Sequence, residues 1–322
     1  MIRLTTQASA AGKHLTPKQY FQALDTPQLM SALRLMQVEL KPGTQHWGRR
    51  IRSGQIGMLF APRGSGKTFK CLALAIAMAS GCRWLGLRPK EPRRVIYCDG
   101  EMDLPTLKLR ISSISASLGV NVPKNLKIFS PEMFTDLLPS INTLDGQKTI
   151  NDMIGETFDV LFIDNYSAFN DSGSENAEAW APVMRWLLKH KRAGRTVIMV
   201  HHTGKAGQKQ RGSSKHEDAM DWVISLSPIP NNEIDSRALK FTLEWQKIRH
   251  LAMVDVPPIS VTMRSARDGK LSWSHEPGKP LNPTDEQIAK LNKDGLNNTE
   301  IGKEVGLSRS AVSRRLGAMA VV

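Results

Sequence analysis

The sequence predicts an α/β fold, in which a mostly parallel sheet has helices on both faces and is followed by a small all-α module. Three observations support this prediction. Short apolar runs alternate with helical stretches from about residue 47 to 265, as is typical of strands buried on both faces of a parallel sheet. A glycine-rich segment joins the first of these runs to an Ala- and Leu-rich stretch. Beyond the Pro- and Gly-rich segment 274–283, the pattern is wholly helical.

Several apolar runs are candidates for the strands of the core. Two of the later runs, 239–249 and 259–265, are interpreted as antiparallel strands added at one edge of the sheet. Helices are expected between the earlier runs, for example at 101–118 and 175–192. The earlier strand candidates are 56–60, 94–99, 126–130, 160–164, 196–202 and 222–227.

The same pattern divides the chain into four parts. Residues 16–37 have helical character that is broken near Pro27, so we interpret the N-terminal part as a helical cap or arm. The length of 322 residues is enough for one sizeable core and a small second module. The expected parts are the cap 1–46, the core 47–273, the linker 274–283 and the helical module 284–322.

Composition narrows the classes of protein to consider. The longest uninterrupted apolar run, Cys71–Ala79, has nine residues and is far too short to span a membrane. The N-terminal residues contain no apolar segment of the kind found in secretory signals. The cysteines Cys71, Cys82 and Cys98 have spacings unlike those of zinc ligands and form no even set. We therefore expect a cytoplasmic protein without a membrane partner.

The net charge of +14 favours a polyanionic partner, most simply nucleic acid. On charge alone, the alternative is a soluble protein that is merely basic. The charge is uneven, because residues 1–60 contain eight Lys or Arg residues against two acidic ones, Asp25 and Glu39, a balance of +6.

The segment APRGSGKT, residues 61–68, resembles the phosphate-binding loop G-x-x-x-x-G-K-[ST], with Ala61 in place of the first glycine. Gly64 and Gly66 leave the backbone free to curl, so that N–H groups can point at a phosphate. Lys67 can reach the β- and γ-phosphates, and Thr68 can offer its hydroxyl to Mg²⁺. A chance glycine-rich turn is the alternative, but a strand before and a helix after the loop favour binding of ATP and Mg²⁺. The expected nucleotide contacts are Arg63, Gly64, Ser65, Gly66, Lys67, Thr68 and Phe69.

Two carboxylates follow apolar strands. The run DVLFID ends in Asp164, which has the form of a Walker B motif that aims a buried carboxylate at the metal, so Thr68 and Asp164 are the expected metal residues. The run RVIYCDGE places Glu101 just past another strand end, where ligand crevices form in open α/β sheets. Glu101 can accept a proton from an attacking water. The alternative is that Glu101 only begins the next helix, where a carboxylate is favoured in any case.

The order of these motifs resembles the RecA-like ATPase core, and most of all the RepA/DnaB-type hexameric replicative helicases of plasmids and phages. The resemblance covers roughly residues 50–265. It implies that Glu101 is the catalytic glutamate and that His202, at the end of the run VIMVHH, senses the γ-phosphate. The alternative for His201 and His202 is a pair of strand-end histidines that caps the sheet.

The segment QKIRH, residues 246–250, matches a further feature of this family, a K-x-R pair on a late strand. Residues two apart on a strand face the same side, so Lys247 and Arg249 are expected to project together. The resemblance implies that they reach the nucleotide of the neighbouring subunit, where a guanidinium suits the developing phosphoryl charge. A solvated pair on an edge strand is the alternative. The expected catalytic residues are Glu101, Lys67, His202, Lys247 and Arg249.

The C-terminal module is expected to form three helices, at 284–293, 298–305 and 308–318. Asn298 or Thr299 can cap the second helix, and Ser308 the third. The pattern resembles the helix-turn-helix of resolvases and related regulators. A protein-binding module or an oligomer cap is the alternative, since the charges of the module are nearly balanced. The resemblance implies that Ser308, Arg309, Ser310, Ser313 and Arg314 face duplex DNA.

These observations lead to one main hypothesis for the function. It is an ATP-dependent DNA helicase or translocase of a mobile genetic element, which acts on single-stranded DNA as a homo-oligomeric ring, expected to be a hexamer. The alternatives are a DNA-binding regulator that uses ATP as an assembly switch, and a recombination mediator that forms filaments. Single-stranded DNA is expected to contact the loops 170–176 and 204–215. The second loop contributes Lys205, Lys209, Arg211 and Lys215.

Overall fold

A central sheet organises the computed structural model, which describes residues 29, 31–38, 40, 42–62, 64–135, 139–170, 177–202, 218–229, 237–278, 288, 291–305 and 307–319. Within these residues, nine strands form one sheet and two more form a separate antiparallel pair. In chain order the strands are β1 (Gln45–Trp47), β2 (Ile51–Arg52), β3 (Ile56–Ala61), β4 (Val95–Asp99), β5 (Leu126–Phe129), β6 (Val160–Asp164), β7 (Thr196–His202), β8 (Trp222–Pro228), β9 (Ala238–Ile248), β10 (Ile259–Ser265) and β11 (Leu271–Pro277).

The spatial order of the strands is β11-β10-β9-β8-β3-β7-β6-β4-β5. Strands β3 to β8 are parallel to one another, and β9, β10 and β11 follow β8 in antiparallel orientation. Every residue of β3, β4, β6 and β7 is buried. The prediction of a mostly parallel, doubly covered sheet with antiparallel strands at one edge is therefore confirmed.

Helices cover both faces of the sheet. On one face, α2 and α3 pack against residues such as Leu59 and Phe162, and on the other, α4 and α5 pack against residues such as Met58 and Ile163. The alternation of these side chains along each strand assigns them to the two layers. The described helices of this region are α1 (Ala32–Met36), α2 (Lys67–Ser80), α3 (Leu104–Ser117), α4 (Leu144–Ile154) and α5 (Ala177–Arg192), with 3₁₀ turns at Pro131–Met133, Tyr166–Phe169 and Met253–Asp255.

Two predicted boundaries of the core are wrong. Strand β11 runs to Pro277 and pairs with β10, so residues 274–277 belong to the sheet and not to the linker 274–283. Proline is tolerated there because β11 is an edge strand, in which one side needs no ladder hydrogen bond. Strand β1 begins at Gln45, inside the segment 1–46 that was expected to be a helical cap. Of the expected helix 16–37, only α1 falls on described residues with helical structure.

The C-terminal residues form α6 (Asn298–Val305) and α7 (Arg309–Met319), which pack around a small apolar core of Ile288, Ile301, Val305 and Val312. Of the expected helix 284–293, Ile288 and residues 291–293 are described and are helical.

The caps of the two C-terminal helices are side-chain hydrogen bonds. Ser308 caps α7 as predicted, because its hydroxyl accepts a hydrogen bond from the Ala311 N–H. The predicted cap of α6 is wrong. Asn297 provides it by accepting from the Thr299 and Glu300 N–H groups, while the Glu300 carboxylate accepts from the Asn297 N–H.

None of the helices within the described ranges is both long and apolar enough to cross a membrane.

Candidate active site

A glycine-rich loop connects β3 to α2 at the C-terminal edge of the parallel strands. Gly64 and Gly66 have φ values of 74° and 72°, in the left-handed region that other residues rarely adopt. Gly66 stands at the N-cap of α2, and no side chain caps the helix there. The first N–H groups of α2 are therefore available to an anion, as in other phosphate-binding loops.

Ala61 occupies the position of the missing first glycine without strain. It is the last residue of β3, is fully buried, and pairs with His202 of β7. A strand residue has a negative φ, so this position does not require glycine. The departure from the motif therefore leaves the shape of the loop intact.

A cavity of about 620 Å³ opens above this loop. It brings together most of the residues that the sequence predicts for nucleotide binding and catalysis. Arg110 and Leu239 also line it, although no sequence motif indicates them; the Arg110 guanidinium lies 4.5 Å from the centre of the Phe69 ring. Of the other predicted contacts, Ser65 lies beside the cavity in the loop, and Arg63 lies outside the described residues. The lining residues are Gly64, Gly66, Lys67, Thr68, Phe69, Glu101, Arg110, His202 and Leu239.

Asp164 ends β6 as a buried carboxylate close to Lys67 and Thr68. Its Oδ2 atom accepts a hydrogen bond from the Tyr97 hydroxyl, whereas Oδ1 has no hydrogen-bond partner among the described residues. Burial raises the pKa of Asp164, and the Lys67 ammonium and the Tyr97 and Thr68 hydroxyls act in the opposite direction. A buried carboxylate oxygen without a donor fits a cation or a water molecule on that cation. Thr68 and Asp164 therefore suit Mg²⁺ bound to phosphates.

Glu101 lies past the end of β4, at the wall of the cavity. Its Oε1 atom is 3.4 Å from His202 Nε2, and the Asn165 amide nitrogen is 3.2 Å from the same histidine nitrogen. The hydrogen bond with His202 is the largest of the effects that lower the pKa of Glu101 to about 2, with burial acting against it and Asn165 and Lys67 adding to it. Glu101 is therefore ionised at neutral pH and can accept a hydrogen bond from a water molecule.

Glu101 does not begin the following helix, so that alternative is wrong. Helix α3 starts at Leu104 and is capped by Asp103, whose carboxylate accepts from the Thr106 N–H at 2.7 Å. Glu101 thus belongs to the turn between β4 and the helix.

Asp99 positions this turn and was not recognised in the sequence. Its Oδ1 atom accepts hydrogen bonds from the N–H groups of Glu101 and Met102, at 3.1 and 2.7 Å. Burial raises the pKa of Asp99 to about 6, although these two N–H groups act to lower it. Asp99 pairs in register with Asp164 on the neighbouring strand β6. The only signal for it was its place as an acidic residue at a strand end.

Lys247 and Arg249 do not lie at this cavity. Both side chains donate to the backbone carbonyl of Asp218, Lys247 at 3.2 Å, so the prediction that they project together is consistent with the structure. Lys247 lies on β9 and Arg249 directly follows this strand. Because β9 lies between β8 and β10, the idea of an edge strand is wrong. The C-terminal end of β9 pairs with Trp222 at the start of β8, and Trp222 pairs with Gly57 near the start of β3. The phosphate loop follows the other end of β3. Lys247 and Arg249 are therefore too far away to contact a nucleotide bound by the loop of the same chain.

The residues predicted to bind DNA fall into two groups. Lys205, Lys209, Arg211 and Lys215 lie outside the described residues, as do residues 171–176 of the first expected loop. The C-terminal group is exposed on and just before α7, whereas Val312 of the same helix is buried. This exposed group consists of Ser308, Arg309, Ser310, Ser313 and Arg314.

The parallel sheet, the glycine loop at the start of α2 and the carboxylates at the ends of β4 and β6 define a RecA-like P-loop ATPase, a class that binds nucleotide typically together with Mg²⁺. Residues 8–208 match the sequence model of the AAA domain family, and the chain belongs to this family.

Two solved structures show similarity to the chain. One is the crystal structure of the RadB recombinase, with 14% identity, a TM-score of 0.44, and coverage of 68% of this chain and 90% of that chain. The other is the crystal structure of the flagellar accessory protein FlaH from Methanocaldococcus jannaschii, with 13% identity, a TM-score of 0.46, and coverage of 70% and 91%. A comparison with curated proteins gave no significant match.

Proposed function

We propose that this ATPase is a DNA helicase or translocase of a mobile genetic element, which forms a ring and moves along single-stranded DNA. The observation that carries the proposal is the placement of Lys247 and Arg249. They converge on one carbonyl at the end of the sheet away from their own phosphate loop. Two cations so placed suit the nucleotide of a neighbouring copy, and an ATPase that is completed by its neighbour is suited to an assembled motor.

The chemistry of hydrolysis follows from the cavity. The N–H groups of the loop and of the first turn of α2 bind the phosphates, and the Lys67 ammonium neutralises charge on the β- and γ-phosphates. Mg²⁺, held by Thr68 and Asp164, would supply further charge neutralisation. Glu101 accepts a hydrogen bond from the attacking water and orients it toward the γ-phosphate. Its lowered pKa leaves Glu101 ionised at neutral pH, so the same carboxylate can take up the proton that the water loses during attack.

His202 connects this water site to the rest of the molecule. It contacts Glu101 at the cavity and ends β7, after which the chain continues into the basic segment 203–217. A change at the γ-phosphate that alters the contact between Glu101 and His202 would therefore reach a segment suited to the DNA backbone. This route is the proposed coupling between hydrolysis and movement on DNA.

Nucleic acid as the partner is supported by the net charge of +14 and by the exposed hydroxyl and guanidinium groups of α7. We propose that the C-terminal helices form a helix-turn-helix that binds duplex DNA and assists loading. A chain that ends at Pro283 is expected to keep its ATPase activity and to lose duplex binding at low salt, measured by fluorescence anisotropy with the salt concentration stated. Unchanged duplex binding would instead favour a protein-binding module.

Strand displacement tests the main proposal. The full chain with ATP and Mg²⁺ is expected to separate a forked duplex, and electron microscopy with single-stranded DNA and a slowly hydrolysed ATP analogue is expected to show closed rings, most simply hexamers. Filaments without displacement would identify a recombination mediator. Nucleotide-dependent assembly on duplex DNA without displacement would identify a regulator. Either result would overturn the proposal that the protein is a helicase.

A further inference from the structure

A buried lysine lies directly beneath the phosphate loop. Lys70, in the first turn of α2, is 2% exposed. Its Nζ atom donates to the backbone carbonyl of Ser65 at 2.5 Å and lies 3.5 Å from the centre of the Phe241 ring on β9. Among the described residues, no carboxylate forms an ion pair with it. Burying an amine in this way costs free energy, so its presence calls for a reason beyond packing.

The geometry of the peptide bond gives that reason. In a trans peptide, the C=O of one residue and the N–H of the next point in opposite directions. The Ser65 carbonyl is turned inward to Lys70, so the Gly66 N–H is turned outward to the cavity that Gly66 lines. Without this hydrogen bond, a loop with two glycines in the left-handed region could rotate the peptide and present a carbonyl oxygen to the phosphates.

We propose that Lys70 is a positioning residue of the nucleotide site, which holds the Ser65–Gly66 peptide with its N–H toward the phosphates. Phe241 holds the ammonium in place from β9. Leu239, two residues earlier on the same side of β9, lines the cavity next to Gly66. Burial lowers the pKa of Lys70 to about 7, and both the charged and the neutral amine retain an N–H for Ser65. The positioning role therefore does not depend on the protonation state of Lys70.

The test is nucleotide binding by the full chain with Lys70→Met, which keeps the length of the side chain and removes the donor. We expect Mg²⁺–ADP to bind about 10- to 100-fold more weakly, because the hydrogen bond that holds the Ser65–Gly66 peptide is lost. The amide contact is present in both the ground and the transition state, so KM for ATP is expected to rise while kcat at saturation changes little. The melting temperature without nucleotide is expected not to fall, since a buried amine is removed.

The matched control is Lys148→Met, the same substitution at an exposed lysine that pairs with Asp152 on α4. It is expected to leave binding and turnover unchanged. A second variant, Phe241→Leu, is expected to weaken binding about 2- to 30-fold through loss of the cation–π contact, and to have no effect when combined with Lys70→Met.

The inference rests on nucleotide binding by this site and not on helicase activity. If the unchanged protein fails to bind nucleotide, the proposed function fails with it. If the unchanged protein binds and Lys70→Met binds within twofold of it, only the role of Lys70 is overturned. Additive effects of Lys70→Met and Phe241→Leu would also overturn it. If Lys70→Met does not fold, Phe241→Leu decides alone: unchanged affinity overturns the proposal, and weakened affinity with an unchanged melting temperature supports it.

Discussion

Glu101 and His202 are 101 positions apart in the chain, yet Glu101 Oε1 lies 3.4 Å from His202 Nε2 at the wall of the nucleotide cavity. The contact forms because the strands that precede them, β4 and β7, are separated in the sheet only by β6 and end at the same edge. This hydrogen bond lowers the pKa of Glu101 and holds its carboxylate toward His202. In the proposed mechanism, the water that attacks ATP is aligned by Glu101, whose position depends on two strands that are distant in the chain.

The first prediction concerns Glu101. Glu101→Gln is expected to bind ATP normally and to hydrolyse it about 10²- to 10⁴-fold more slowly, because the glutamine can occupy the same space but cannot accept a proton. Steady-state turnover and ATP titration measure the two effects separately. Weakened ATP binding together with full turnover per bound ATP would assign Glu101 a structural role.

The second prediction concerns the residue that replaces the first glycine of the motif. Ala61→Gly is expected to leave nucleotide affinity unchanged, because Ala61 lies in β3 and needs no left-handed φ. The free energy of unfolding is expected to fall by about 0.5–1 kcal/mol, since glycine loses more backbone entropy in a strand. Chemical denaturation and ADP titration test the two statements. A clear gain in affinity would show that the alanine distorts the loop.

The third prediction concerns Arg249. Arg249→Ala is expected to retain ATP binding in its own loop and to lose turnover by about 10³- to 10⁵-fold, if the guanidinium stabilises the charge on a neighbour's phosphate. Lys67→Ala is expected to be inactive because its own phosphate loop is defective, although it keeps Arg249. Mixed assemblies of the two variants are expected to recover part of the ATPase activity, because some sites combine an intact loop with an intact Arg249.

Subunit exchange is the control for this mixing experiment and is measured with fluorescently labelled chains. If mixed assemblies form and activity stays at the level of the separate variants, Arg249 does not act across an interface. It would then serve only through its hydrogen bond to the Asp218 carbonyl.

The fourth prediction concerns pH. Burial, with a smaller effect of Arg93, lowers the pKa of His46 from 6.5 to about 4. Between these two pH values His46 is protonated in the unfolded chain and neutral in the folded chain. The free energy of unfolding therefore falls as the pH falls from 6.5 to 4. For His46→Leu, the loss of stability between pH 7 and pH 5 is expected to be about 2 kcal/mol smaller. Denaturant unfolding at both pH values measures it, and an equal loss in both proteins would contradict the role of His46.

Much of the fold could be predicted from the sequence, because it depends on local patterns of apolar and glycine residues. The apolar runs that became β3, β4, β6 and β7 are wholly buried, and such runs are characteristic of the interior of a parallel sheet. The phosphate loop was recognisable since its glycines, lysine and threonine lie within the five residues 64–68. The predicted start of the linker at residue 274 was wrong. Pro277 suggested the end of regular structure, whereas an edge strand tolerates proline.

The sequence by itself determined the class of fold and the loop that binds phosphate, since both depend on neighbours within a few residues. Only the tertiary structure decided which distant residues meet. It set Asp99 in register with Asp164, brought Arg110 over Phe69, and placed Lys70 between Ser65 and Phe241. It also placed Arg249 at the end of the sheet that is opposite to the phosphate loop of the same chain. The physical reason is that strand order and register arise from the packing of the whole sheet, which no local periodicity encodes.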